Sequence, residues 1–390
     1  MLKYEKRFVD FCEKHYLLIA FVLITVLSLG IRFFMKDFES GDYLFFLEDW
    51  FDYLKDNGGM LALKNYPGDY NAPYMTILAL LTYIPINKLY LIKGVSMLFD
   101  FALAISSGLL VKELTKDKDK GNILFLITYS IVLMLPTVMM NSALWAQCDA
   151  IYTTFVILSL FFLVREKYTI SFIMLGLAFS FKLQFVFILP LYIILYVSKK
   201  KYSILHFLLI PLTNLAMCLP AIFCGNSIVK CMKVYFNQTS TYKEKLVMNF
   251  PNIYNLISGN AEIFYKVGVL FTLLICILSL VYVIYKKIIW DDEKILTLGL
   301  WFIVILTFVL PGMHERYMFC GEILAVIYYI LYRKNLPLIV FINLSSVITY
   351  STVLNGLSFD YTLMMTIIYT IIIVYFTKYT LKFLESKCEE

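Results

Sequence analysis

The run LLIAFVLITVLSLGIRFF, residues 17–34, decides the fold. It is continuously apolar rather than alternating, and similar runs recur along all 390 residues. A bilayer core about 30 Å thick takes roughly 20 apolar residues per helix. Lipid also requires every backbone amide to be paired within a helix or a closed barrel, and unbroken apolar runs point to helices. Hydrophobic residues make up 61% of the chain, charged residues 16%, and the mean hydropathy is +0.78. The expected class is an all-α polytopic membrane protein. No small-residue cleavage site follows the first run, so it is read as a retained helix rather than a cleaved signal peptide.

The eight cysteines form no CxxC pair and lie mostly in or beside apolar segments, as small core residues do. No metal-ligand spacing occurs. The net charge of +6 sits in short Lys/Arg clusters between apolar runs, which is an orientation signal and argues against a nucleic-acid partner.

Seven such clusters stand out: residues 1–7, KELTKDKDK (112–120), REK (165–167), SKKK (198–201), KK (286–287), RK (333–334) and the tail around Lys378–Lys387. Placing all seven on the cytoplasmic side gives about twelve crossings with both termini inside. The loops 35–72, 141–149, 182–184, 223–262, 312–316 and 354–360 then face outward. The segment 74–86, broken at Pro85-Ile86-Asn87, is expected to lie at the surface or re-enter. The segment 168–197 must leave and return within about 30 residues, so its two short helices are expected to meet at Phe181-Lys182-Leu183-Gln184, below the surface.

The unusual polar residues fall on that one outward side. The first loop brings Asp37, Glu39, Asp42 and Asp69-Tyr70. The next turn brings Trp145, Gln147 and Asp149, the broken hairpin Lys182 and Gln184, and the last turn His314, Glu315 and Arg316. Ionisable groups at a membrane mouth mark function by default, and four turns imply one shared cavity opening outward. Within the first loop, YLFFLEDWFDYLKDNGG (43–59) places its charges at 48, 49, 52, 55 and 56. This predicts a short interfacial amphipathic helix ended by Gly58-Gly59, with Glu48, Asp49, Asp52 and Asp56 on its solvated face. Asp42 stands where an N-cap would be.

At these residues the chain resembles the GT-C glycosyltransferases. The likeness is to the dolichyl-phosphate-glucose glucosyltransferases and to bacterial relatives of the GPI mannosyltransferases. GDYLFFLEDW (41–50) is similar to their acidic first-loop motif. Asp69-Tyr70-Asn71-Ala72-Pro73 is similar to their D-Y-P-P motif, with one proline instead of two. LWAQCDAIYTTFVILSLFFLV (144–164), GLAFSFKLQFVFILP (176–190), MNFPNIYNLI (248–257) and PGMHERYMF (311–319) resemble further segments in the same order. The resemblance implies a GT-C-like core module over 1–200 and more variable helices over 201–390, within a single membrane domain. It implies inverting transfer of a hexose from a polyprenyl-phosphate donor to a glycan or glycolipid acceptor. No cofactor or metal is implied, and membrane lipids are the surroundings.

Such a transfer needs one carboxylate to take the acceptor proton, and cations for the leaving phosphate. Asp42 is the expected base, with Asp69 and then Asp149 as alternatives. Lys182 and Arg316 are expected at the donor phosphate, with His314 bonding it or orienting Glu315. Tyr43, Tyr70, Trp145, Gln147, Gln184 and Glu315 are expected around the sugars, with Asn252 and Tyr254 over the donor. The Asn237-Gln238-Thr239 sequon is read as chance in a bacterial plasma-membrane protein. Three other readings compete. A lipid-linked sugar transporter would show repeats and midplane polar sites. A polysaccharide polymerase or ligase would show an Arg-rich outer loop, whereas 223–262 has Lys and no Arg. A catalytically inactive scaffold differs only in activity.

Overall fold

The structure, a computed structural model, describes residues 2–241, 245–356 and 361–386. Lys387, Cys388 and residues 357–360 of the expected outer turn lie outside the described residues, as do the side chains of Asn237 and Thr239. The first half holds α1 (Lys3–Met35), α2 (Glu48–Asp56), α3 (Ala72–Leu81), α4 (Lys88–Leu114), α5 (Lys118–Met134), α6 (Pro136–Met139), α7 (Asp149–Val164), α8 (Tyr168–Phe181) and α9 (Leu189–Lys199). The second holds α10 (Leu209–Phe223), α11 (Ile228–Thr241), α12 (Ala261–Lys286), α13 (Asp292–Val309), α14 (Phe319–Tyr332), α15 (Leu336–Asn355) and α16 (Thr362–Glu385). Two short strands, β1 (Val247–Met248) and β2 (Met313–His314), pair in parallel with Val247 opposite Met313.

The chain is a multi-pass, all-α membrane protein. Among the described residues, six helices are long and apolar enough to cross a bilayer, seven if the bent pair 118–134 and 136–144 counts as one span. That is fewer than the twelve expected, and the reason is physical. α7 and α8 have 16 and 14 residues, about 24 and 21 Å at 1.5 Å per residue. α13 has 18 residues but opens on Asp292-Glu293-Lys294, and every residue from Lys294 to Val309 is buried. Helices enclosed by protein on all sides are apolar all round and need not match lipid. The lipid-facing surface is elsewhere, on α1 and α12, where Leu18, Leu23, Val26, Leu270 and Ile277 stay exposed.

Several expected breaks are present. α8 stops at Phe181, and Lys182 is extended (φ −148°, ψ 142°). A 3-10 turn, Leu183–Ile188, then leads into α9. The only helix in the segment 74–86 is the end of the ten-residue α3, about 15 Å long in all, and so it does not cross by length. The first-loop helix runs from 41 to 56 with a π-helical turn at Tyr43–Leu47. Leu47, Trp50, Phe51 and Leu54 bury its inner face, while Asp49 and Asp56 stay exposed. Glu48 and Asp52 keep part of their solvent exposure and also grip Lys88 of α4, at 2.7 and 2.6 Å. Gly58 ends the segment in the left-handed region (φ 87°), where only glycine sits without strain.

Close helix approach is obtained with small residues, as is usual between membrane helices. A methyl group at Gly176 of α8 would stand 2.5 Å from Thr213 Cβ of α10. Between α5 and α6 the chain bends by 54° at Pro136, which has no N–H to continue the helix. The carbonyl of Leu133, left without its helical donor, accepts from Arg32 Nη2 of α1 at 3.1 Å. Arg32 is also paired with Asp100 of α4 at 2.9 Å, both wholly buried, and Ser142 Oγ donates to the same carboxylate at 2.5 Å. This network aims residues 141–149 at the centre of the molecule. Its sequence signal was a charge inside each of two apolar runs, at 32 and at 100.

Candidate active site

Six chain segments converge on a cavity of about 620 Å³. Its polar lining includes Asp42, Asp69, Tyr70, Gln147, Lys182, Gln184, His314 and Arg316. Phe46, Trp50, Phe181, Val186, Phe187, Val269 and Leu310 make the remainder largely apolar.

Asp42 comes from the start of the 41–56 helix. Its carboxylate is not the cap: Ser40 Oγ accepts from the Tyr43 N–H at 3.2 Å and donates to the Trp145 carbonyl at 2.8 Å. That bond ties the helix start to the 141–149 turn and leaves the Asp42 side chain for the cavity, 31% exposed. Gln147 links the segments. Its Nε2 donates to Asp42 Oδ2 at 2.5 Å, and its Oε1 accepts from Arg316 Nη1 at 2.7 Å and from the Tyr70 hydroxyl at 3.1 Å. These partners fix the amide orientation, since Asp42 can only accept and Arg316 can only donate.

Asp149, at the first turn of α7, is wholly buried. Lys182 Nζ donates to its Oδ1 at 2.7 Å and Asn141 to its Oδ2 at 2.8 Å, with Arg316 Nη1 3.6 Å away. Lys182 also faces the Tyr70 ring, 5.6 Å from its centroid. Arg316 is the hub. Besides Gln147 it meets Glu315 Oε1 at 3.2 Å and Asp42 Oδ2 at 3.4 Å, and its guanidinium lies 5.2 Å from the Trp145 ring centroid.

The turn 312–316 is held by the β1–β2 pairing, so the long loop 223–262 supports the site from one side. Asn249 Nδ2 reaches Glu315 Oε2 at 3.3 Å. Burial pushes the Glu315 carboxyl above its ordinary value, against the opposing pull of Arg316. His314 goes the other way. Burial, then the neighbouring Arg316 and Lys182 charges, push it down to about 3, so its ring is neutral at pH 7. The cations lining the cavity are therefore Lys182 and Arg316.

Several of the expected residues do not line the cavity. Asn252 and Tyr254 do not line the cavity. Asn252 caps Tyr254 N and donates to the Leu246 and Leu310 carbonyls, and the Tyr254 hydroxyl donates to the Val309 carbonyl at 2.9 Å. Both shape the loop that carries the turn. Trp145 is 2% exposed and backs Arg316 instead of facing a sugar, with Tyr350 edge-on to it. Tyr43 is buried beneath the first-loop helix. Asp149 and Glu315 lie behind the cavity wall with their oxygens engaged. Asp69 stands at the exposed rim, where its carbonyl accepts from Gln238.

The cavity also contains residues that sequence reasoning passed over: Tyr235 and Gln238 of α11, Tyr265 of α12, and Tyr317. Their chemistry does not stand out among 30 tyrosines. Asn141, the neutral partner of Asp149, had no signal beyond lying in an apolar run. No protein-family model and no curated protein matches this chain.

Proposed function

We propose that the protein is an inverting glycosyltransferase of the GT-C kind. It moves a hexose such as mannose or glucose from a polyprenyl-phosphate donor to a hydroxyl of a glycan or glycolipid. The observation that carries this reading is a partly exposed carboxylate, Asp42, sharing one cavity with two buried cations, Lys182 and Arg316.

Asp42 acts as general base. Its contacts to Gln147 and Arg316 both fall on Oδ2, which leaves Oδ1 to take the acceptor proton. The anomeric carbon passes through an oxocarbenium-like state, and the acceptor oxygen bonds to it as the phosphate leaves. Lys182 and Arg316 neutralise the departing phosphate. The Arg316 contacts to Asp42 and Asp149, at 3.4 and 3.6 Å, are its long ones. An entering phosphate exchanges them for shorter charge-assisted bonds, and that exchange unloads Asp42. Asp149 is a positioning residue that holds both cations. The apolar wall of Phe181, Val186, Phe187 and Val269 suits an isoprenoid chain.

On the lysine map α1, α4, α5, α7 to α10 and α12 to α16 cross the membrane, twelve in all. The termini are then cytoplasmic and the cavity opens outside a bacterial plasma membrane. Cysteine labelling at position 117 from outside intact cells tests this orientation; labelling there reverses it. The reaction is tested with purified protein and a panel of undecaprenyl- and dolichyl-phosphate monosaccharides. Donor consumption by the wild type, lost in Asp42→Asn with donor binding retained, supports the reading. Normal turnover in Asp42→Asn removes Asp42 as the base.

A further inference from the structure

α11 forms one wall of the cavity through Tyr235 and Gln238. It is seated on α10, where Asn214 Nδ2 donates to Met232 Sδ at 3.5 Å. One turn further along α10, the Cys218 side chain is wholly buried, and Cys231 of α11 is 2% exposed. The two free thiols are neighbours in this α10–α11 seam, thirteen positions apart in the chain. Cys218 Sγ is also directed at Asn71 Oδ1 and Asn214 Oδ1, at 3.8 and 3.9 Å.

Both sulfurs belong to the same side of the molecule as the first loop. Asn71 begins α3 in that loop, and Asn226, between α10 and α11, donates to the Leu63 carbonyl at 2.8 Å. Cys218 is five residues from the end of α10, about 7.5 Å along the axis. If this side faces outward, its surroundings are oxidising, and paired thiols there persist as disulfides.

We propose that Cys218 and Cys231 form a disulfide that staples α11 to α10 and fixes the cavity wall carrying Tyr235 and Gln238. For its oxidising surroundings the proposal rests on the outward reading of the cavity. The oxidant is the disulfide of a dithiol oxidase. One cysteine thiolate attacks it, giving a mixed disulfide and releasing one oxidase thiol. The second cysteine then attacks the mixed disulfide, closing the Cys218–Cys231 bond. Two electrons and two protons pass to the oxidase, which leaves as a dithiol. Because both sulfurs are buried once α11 is seated, exchange precedes that packing step.

The test is peptide mapping of full-length protein purified without reductant, unfolded and alkylated. The expected result is a linked peptide two hydrogens lighter than the two thiol peptides together, split by reductant and absent from Cys218→Ser. Reductant should also lower the melting temperature of the wild type and not that of Cys218→Ala/Cys231→Ala. Quantitative alkylation of both cysteines without reduction overturns the proposal. A Lys55→Cys variant, labelled in intact cells with an impermeant maleimide, reports the orientation separately. Labelled Lys55→Cys with both native thiols free overturns the disulfide alone. Unlabelled Lys55→Cys overturns the outward reading, and the peptide map still decides the disulfide.

Discussion

Replacing Asp149 by asparagine should be among the most destabilising single changes in the protein. The substitution is nearly isosteric, so it opens no cavity. It removes the charge that faces Lys182 at 2.7 Å and Arg316 at 3.6 Å. Arg316 keeps Gln147, Glu315 and Asp42, whereas Lys182, 7% exposed, is left with the Tyr70 ring as its electrostatic neighbour. Breaking a buried pair from one side costs about 3–5 kcal/mol. Cavity water can reach Lys182, so the lower end, about 3 kcal/mol, is expected. Lys182→Met should cost less, about 1–2 kcal/mol, because Asp149 keeps Asn141 and Arg316. The double variant should resemble Lys182→Met, giving a coupling of about 3 kcal/mol, the whole cost of Asp149→Asn. The assay is equilibrium unfolding in mixed micelles, followed by tryptophan fluorescence, since Trp145 packs against Arg316. A cost below about 1 kcal/mol for Asp149→Asn would refute a buried, charge-matched pair and imply that water screens it fully.

Three further outcomes are expected. Asp42→Asn should lower turnover at least about 100-fold, the usual weight of a general base, with donor affinity nearly unchanged by equilibrium binding. Gly68→Ala should destabilise the first loop by about 1–3 kcal/mol, measured by the same unfolding assay, because Gly68 has φ 92° and a methyl there would clash with the Trp50 indole. His314 should make stability fall with acid. Its folded pKa is depressed to about 3, so the unfolded chain binds the extra proton, and stability is lost as pH drops below about 6.5, by up to about 1.4 kcal/mol per unit. His314→Gln should flatten melting temperature against pH between about 5 and 7.

The membrane class was legible because apolar runs are long and local. The shared cavity was legible for a related reason. Ionisable residues such as Lys182 and Arg316 are costly in so apolar a chain, and the lysine pattern put their turns on one side. Side-chain direction was not legible. Trp145 and Gln147 are two positions apart, yet one backs the site and the other bridges it, because Ala146 between them takes φ 62°. Asn252 and Tyr254 looked like ligand contacts, but their polar atoms serve backbone carbonyls at Leu246 and at the end of α13, Val309 and Leu310. The Arg32–Asp100 pair needed knowledge that α1 and α4 touch, which no local pattern contains.

Arg316 has a consequence for how the protein is built. Asp42, Gln147, Asp149 and Lys182 all precede residue 200, and the ribosome delivers them first. Until Arg316 arrives, Gln147 Oε1 lacks its shorter donor and the carboxylates outnumber their cations. The early half is thus a charged socket awaiting one late side chain. Docking of the second half is therefore selective as well as hydrophobic, and a chain truncated before residue 316 should keep its helices while failing quality control.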